Sequence, residues 1–342
     1  MARKRRRKRL LKGASNAALM LAVAPGVLRR LDHRRDGEKG GGCESLATGE
    51  ELKGVTSGDG TRIWADCCGE AGPTIFFVHG WTCNGTIFRY QKPFFGRKYQ
   101  VVTLDLRGHG RSAVPESRDY HPDRLAEDLK AVIDAVDPEE FVIAGHSMGG
   151  FTAFKFHEHF GEEYGGRLKG LVIIDSTGTD LVDGLVLGRL VDKFYPVPLN
   201  GLLKALGWES RLATRILDLM SDSSAAYLIV RWAAFGKKPP AGEVELVREM
   251  TFSTPVESIA LAAKGCLDFH CEYHLPEVDM PVLILVGSED KLTNRYVNLR
   301  TCEALPQAEL VVFEEAGHCI QLERTEEFNL ALDDFLSGCF NE

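Results

Sequence analysis

Residues 141–150, Phe-Val-Ile-Ala-Gly-His-Ser-Met-Gly-Gly, constrain the fold more than any other stretch of this 342-residue chain. Four apolar residues suited to a buried strand run into Gly145-His146-Ser147-Met148-Gly149, a G-x-S-x-G pattern. A helix-like stretch through Phe154 and Phe156 follows. A serine on so tight a strand-to-helix turn adopts strained backbone angles, and its flanking neighbours must be glycine. The turn lifts the hydroxyl clear of the sheet and sets it at a helix N-terminus, where developing negative charge is stabilised.

Short, continuously apolar runs at 74–78, 101–106, 141–144, 171–174, 282–286 and 309–313 predict strands covered on both faces, as in a parallel sheet. Between them lie helical patterns. The clearest spans 122–136, with Leu125, Leu129, Val132, Ile133 and Val136 on one stripe, Pro122 at a first helical position and Asp123 complementing the dipole. Alternating strands and helices make an α/β fold. From about residue 178 to 276 no strand pattern occurs, which predicts a helical cap inserted between two sheet strands. Its Phe194, Tyr195, Trp208, Tyr227, Trp232 and Phe235 either line a cavity or pack the cap on the core, and packing is the reading for most. The domain reading is a segment at 1–35, a core at 36–177, a cap at 178–276 and a second part of the core at 277–342.

Charge divides the chain in two. The total is −8, yet residues 1–35 hold twelve Lys/Arg and one acid, Asp32, leaving the body strongly negative. Such a body repels polyanions, so no nucleic-acid partner is expected for it. In the head, a basic run precedes an apolar stretch at 14–28 and a second basic cluster. That stretch is short of the roughly 20 residues that span a bilayer. Arg7-Lys8-Arg9-Leu10-Leu11-Lys12 is similar to a twin-arginine export motif with Lys for the second Arg. Ala22-Val23-Ala24 offers small residues for cleavage, which Pro25 opposes. The favoured reading is attachment to an anionic membrane surface through residues 1–35, on either side of the membrane; the alternative is a solvated basic tail on a cytoplasmic protein. Nine cysteines without a C-x-x-C pair read as buried small residues or free thiols. His270 and His274 stand at i and i+4, a metal-ligand spacing if that stretch is helical, with a surface helix end as the plainer reading.

A serine nucleophile needs a base oriented by an acid. His318, in Glu315-Ala316-Gly317-His318-Cys319, follows the last predicted strand, and Asp290, in Gly287-Ser288-Glu289-Asp290, follows the one before it. Both therefore fall on the sheet edge that carries Ser147, where open α/β sheets place their sites. The chain order Ser147, Asp290, His318 is the order this constellation takes on such a sheet. Asp175 also follows a strand and is the rival acid, ranked behind Asp290. An oxyanion needs two fixed backbone donors. These are assigned to the amides of Met148 and Trp81, the latter in Val78-His79-Gly80-Trp81, where Gly80 allows close approach. Gly145, Gly149, His79 and Gly80 support the two turns, and His79, His109 and His146 are read as structural.

With H-G-x, G-H-S-M-G-G and a terminal G-H motif in this order, residues 52–340 resemble the α/β-hydrolase superfamily, specifically its capped serine esterase–lipase group. The basic, apolar head together with this core is similar to bacterial hydrolases. The resemblance implies a mostly parallel eight-stranded sheet with helices on both faces, a helical cap after the sixth strand, no cofactor and no metal. It also implies a small-molecule ester substrate; the apolar cap and the membrane contact suggest that this substrate carries a medium or long acyl chain, as in a monoacylglycerol or lysophospholipid. Members acting on epoxides or haloalkanes use an aspartate nucleophile, against which Ser147 argues. Acyl transfer, cofactor-free perhydrolysis and carbon–carbon bond hydrolysis use the same three residues and stay open, as does a non-catalytic binding module on this fold.

Overall fold

A computed structural model of the chain describes residues 28–29, 49–180 and 221–340. The six apolar runs form strands, four of them longer than expected by a residue or more, one with the expected bounds and one shifted by a residue: β4 (Thr74–Val78), β5 (Gln100–Asp105), β6 (Phe141–His146), β7 (Leu168–Ile174), β8 (Val282–Gly287) and β9 (Ala308–Phe313). Three further strands precede them, β1 (Leu28–Arg29), β2 (Glu50–Glu51) and β3 (Trp64–Cys68). The described strands make one sheet in the order β1-β9-β8-β7-β6-β4-β5-β3-β2. Pairing is parallel from β1 through β5, while β3 joins antiparallel to β5 and β2 antiparallel to β3. The body thus supplies the eight mostly parallel strands expected, and the two-residue β1 adds a ninth beside β9.

Alternate residues of each central strand feed opposite cores. Phe76 and Val78 pack with Leu125, Leu129, Phe151 and Phe154 on one face; Ile75 and Phe77 pack with Phe88, Phe95, Phe328 and Leu332 on the other. The first face is covered by α2 (Pro122–Val136) and α3 (Met148–Tyr164), the second by α1 (Gln91–Phe95) and a C-terminal helix, Thr325–Phe340. Helix α2 has the boundaries read from its periodicity. His121 caps it, Pro122 opens it, and Asp137 ends it in the left-handed region at φ 48°.

Between β7 and β8 the described residues hold only helices: α4 (Ser224–Ala234), α5 (Ala241–Ser253) and α6 (Val256–Leu267), followed by the short Leu275–Glu277 turn. Residues 181–220, with Phe194, Tyr195 and Trp208, lie outside the described residues, as does the head apart from Leu28–Arg29. No helix among the described residues is long and apolar enough to cross a membrane. The eight described cysteines are free thiols, and six of them are buried.

The helical spacing of His270 and His274 does not arise. Helix α6 ends at Leu267, residues 269–271 have no helical structure, and His274 instead meets His157 Nδ1 of α3 through its Nε2 at 2.8 Å and Glu277 Oε2 through its Nδ1 at 2.9 Å. Among the described residues no group of three or more His, Cys, Asp or Glu side chains is placed to hold a metal ion.

Candidate active site

The sheet reverses its winding direction between β4 and β6: the chain leaves β4 for β5 on one side and returns to place β6 on the other. Loops leaving the C-terminal ends of two such strands diverge and open a crevice. The loop after β4 carries His79-Gly80-Trp81, and the turn after β6 carries Ser147. Topology alone therefore brings these two segments together.

Ser147 sits at φ 52° and ψ −116°, a left-handed conformation that costs a non-glycine residue about 1–3 kcal/mol. The surroundings fix it there. Its amide donates to Ile174 O at 2.9 Å, and its carbonyl accepts from Gly150 N at 2.8 Å and from the Ser176 hydroxyl at 2.7 Å. Two glycines make the turn sterically feasible. A Cβ on Gly145 would lie 2.2 Å from Gly149 O, and one on Gly149 would lie 2.1 Å from Val78 O. Met148 is the first residue of α3, so its amide belongs to the unsatisfied N-terminal set.

The β4 loop presses on this turn from the other side. A Cβ on Gly80 would come within 2.8 Å of His146 Nδ1 and 3.0 Å of Ser147 Cβ, so the backbone leading to the Trp81 amide passes directly against the serine. His79 holds the loop by two bonds, Nδ1–H donating to Gly80 O at 2.8 Å and Nε2 accepting from Leu106 N at 2.9 Å. Burial pushes its pKa down to about 4, so it is a neutral strut at physiological pH. The Trp81 indole donates to Ile259 O of α6 at 2.8 Å, tying the same loop to the inserted helices.

His318 and Asp290 meet at the ends of β9 and β8. His318 Nδ1 donates to Asp290 Oδ2 at 2.9 Å, with the two residues 5% and 6% exposed. A carboxylate only accepts, so the ring proton lies on Nδ1 and Nε2 is left free to take a proton. Asp290 is saturated with donors: Oδ1 accepts from Leu292 N at 2.8 Å and Thr293 N at 3.1 Å, and Oδ2 also accepts from the Thr293 hydroxyl at 2.7 Å. Burial works against its charge, but His318 and these hydrogen bonds prevail and hold the carboxyl below its usual range. His318 is fastened through its backbone, its amide to Ala234 O at 2.9 Å and its carbonyl from His146 Nε2 at 2.7 Å. His146, whose pKa is driven down to about 3 chiefly by burial, thus links the serine turn to the histidine loop as a neutral ring.

Asp175, the rival acid, is fully buried but faces two amides, accepting from Gly287 N at 2.8 Å and Ile320 N at 3.3 Å. Burial and the neighbouring Asp290 raise its pKa well above the usual carboxylate range. It stitches β7 to the segments that carry Asp290 and His318. Cys319, next to His318, is fully buried and its thiol pKa is raised far up, chiefly by that burial, leaving it a poor nucleophile. Sequence reasoning missed Thr293 and Ser176, whose hydroxyls brace Asp290 and Ser147; serines and threonines close to a strand end were the only signal.

Comparison with known proteins identifies the family of this fold. The family model for the alpha/beta hydrolase family matches residues 75–331. Non-heme chloroperoxidase CPO-A1 from Kitasatospora aureofaciens is 26% identical over 294 residues, covering 82% of this chain and 98% of that protein. Protein ABHD8 from Mus musculus is 30% identical over 275 residues, 78% of this chain but only 56% of ABHD8. Among solved structures, Est816, described as an N-acyl homoserine lactone degrading enzyme, is 27% identical with a TM-score of 0.65, covering 82% of this chain and 99% of Est816. A bacterial membrane phospholipase A shares the fold at 22% identity and a TM-score of 0.69, covering 87% of this chain and 88% of that one. On its sheet topology and on a family match spanning three quarters of its length, the chain belongs to the alpha/beta hydrolase family.

Proposed function

We propose that the protein is a serine hydrolase of small-molecule carboxylic esters. The observation that carries this reading is the buried 2.9 Å contact between His318 Nδ1 and Asp290 Oδ2, on the sheet edge where Ser147 is held at φ 52°. Ser147 Oγ attacks the ester carbonyl as His318 Nε2 takes its proton, and Asp290 stabilises the imidazolium that results. The amides of Trp81 and Met148 stabilise the oxyanion. The alcohol leaves with the proton from His318, water attacks the acyl–Ser147 ester through the same base, and the acid departs with Ser147 restored.

Helices α4–α6 form the cap over this crevice, anchored at Trp81, and an apolar acyl chain is the substrate part that such a cap accommodates. The head of residues 1–35 serves to attach the enzyme to anionic membrane surfaces, and co-sedimentation with anionic vesicles tests that role separately. The likeness to a non-heme chloroperoxidase favours one second reading, in which hydrogen peroxide replaces water in cleaving the acyl-enzyme and releases a peracid. A p-nitrophenyl ester series of increasing acyl length tests the main reading. Turnover is expected in the wild type and its loss in Ser147→Ala; wild-type turnover in that variant refutes it. Peracid formation from the same esters with added peroxide supports the second.

A further inference from the structure

Beyond the residues already given roles, one half-buried carboxylate joins the inserted helices to the loop carrying His318. Glu323 closes the single helical turn Ile320–Glu323 and points back across the loop. Its Oε1 accepts from Gly317 N at 2.7 Å, the residue before His318, and its Oε2 accepts from Gly236 N at 2.9 Å, two residues beyond the end of α4. The two backbones it bridges lie flat against each other. A Cβ on Gly317 would fall 2.4 Å from Phe235 C, and one on Gly236 would fall 2.2 Å from Glu315 O. The contact continues with His318 N donating to Ala234 O at 2.9 Å and Lys237 N to Glu315 O at 3.4 Å. Both carboxylate oxygens are thus spent on the pair of segments that set the height of His318 above the sheet. Charge-assisted bonds from a carboxylate to backbone amides are about twice as strong as neutral ones.

We infer that Glu323 is a positioning residue for His318, locking the histidine loop to the end of α4 so that the imidazole is aligned only when that helix is seated. The inference rests on the serine-hydrolase reading above and adds to it where the alignment of the base originates. Glu323→Gln is the sharpest probe. The carboxamide keeps the shape and one acceptor, but its NH2 faces one of the two amide donors and pushes the segments apart. A misplacement approaching 1 Å lowers rates about a hundredfold. The expected result is a tenfold to hundredfold loss in kcat (roughly, on that scale) with KM little changed. The rate at which a fluorophosphonate labels Ser147 falls by the same factor, since both steps need the His318 base. Glu323→Asp, which keeps the charge, recovers part of the loss. Gly236→Ala approaches from the α4 side, forcing the segments apart through Glu315 O, and reproduces the effect if Glu323→Gln fails to fold. A folded Glu323→Gln with wild-type kcat and labelling rate overturns the inference, as does a folded, fully active Gly236→Ala. If Ser147→Ala itself keeps wild-type turnover, the hydrolase reading has failed instead, so the two failures are told apart.

Discussion

Asp290→Asn separates the charge of the proposed acid from its shape. Oδ1 accepts from the amides of Leu292 and Thr293, while Oδ2 accepts from the Thr293 hydroxyl and from His318 Nδ1. An asparagine must keep its one carbonyl oxygen toward the two amides, because neither amide can turn away. Its NH2 then occupies the Oδ2 position. The Thr293 hydroxyl rotates to accept, and His318 Nδ1 is obliged to accept as well. The ring proton moves to Nε2, the atom that has to receive the proton of Ser147. Every bond around the site survives, so the melting temperature changes little, yet the base is blocked. The expected loss in kcat is about ten thousandfold, the cost of the wrong tautomer in such a constellation, or about 5 kcal/mol of barrier. Steady-state hydrolysis of p-nitrophenyl butyrate, with thermal melting as the folding control, measures it. Asp175→Asn is the internal comparison: it loses only the longer of two amide bonds and stays within about tenfold of wild type. If Asp290→Asn keeps kcat within tenfold while Asp175→Asn is the crippled variant, the acid has been misassigned.

Gly149→Ala puts a methyl 2.1 Å from Val78 O, and the turn must retreat by about 1 Å to reach even the 3.0 Å that real Cβ contacts respect. We expect about a hundredfold loss in kcat and about 1–3 kcal/mol lost in urea unfolding. Gly242→Ala, with nothing within 4 Å of its Cβ and a place in the first turn of α5, stays active and gains less than about 1 kcal/mol. Stability should also depend on pH. Burial, the leading cause in each case, lowers the pKa of His79 to about 4 and of His109 and His146 to about 3, against about 6.5 in an unfolded chain. The unfolded chain then binds more protons, so stability is full above pH 6.5 and falls as pH drops toward 4, by roughly 4 kcal/mol per pH unit at most for three sites. Urea unfolding at pH 7, 6 and 5 should show the decline, and a flat profile would contradict it.

How much could be read from the chain varies by element for physical reasons. The six central strands were legible because burial on both faces makes each an unbroken apolar run, and α2 because its stripe, its proline and its capping site coincide. Strand β3 escaped because it places Asp66 inward, where Lys92 Nζ pairs with it at 2.5 Å, a partnership formed across 26 residues. The two-residue strands β1 and β2 are too short for any periodicity to register. At the candidate site, Ser147, Asp290 and His318 stood out together because each lies in the segment that follows a strand, and parallel strands put such segments on one edge. The sequence already ranked Asp290 ahead of Asp175; what only the third dimension adds is that one carboxylate meets the imidazole and the other meets amides. Glu323 left a faint signal, a lone acid closing the Cys319-Ile320-Gln321-Leu322 stretch behind the histidine. Its partner Gly236 lies far away in sequence, so its role could not be read there.

The central claim is that Ser147 is a nucleophile activated by His318. It is tested most directly by incubating the intact protein with a fluorophosphonate and mapping the adduct by peptide mass spectrometry. One stoichiometric adduct on Ser147 is expected, absent in Ser147→Ala and formed far more slowly in His318→Ala. Folded wild-type protein that takes up no label, or that carries it on another residue, would contradict it.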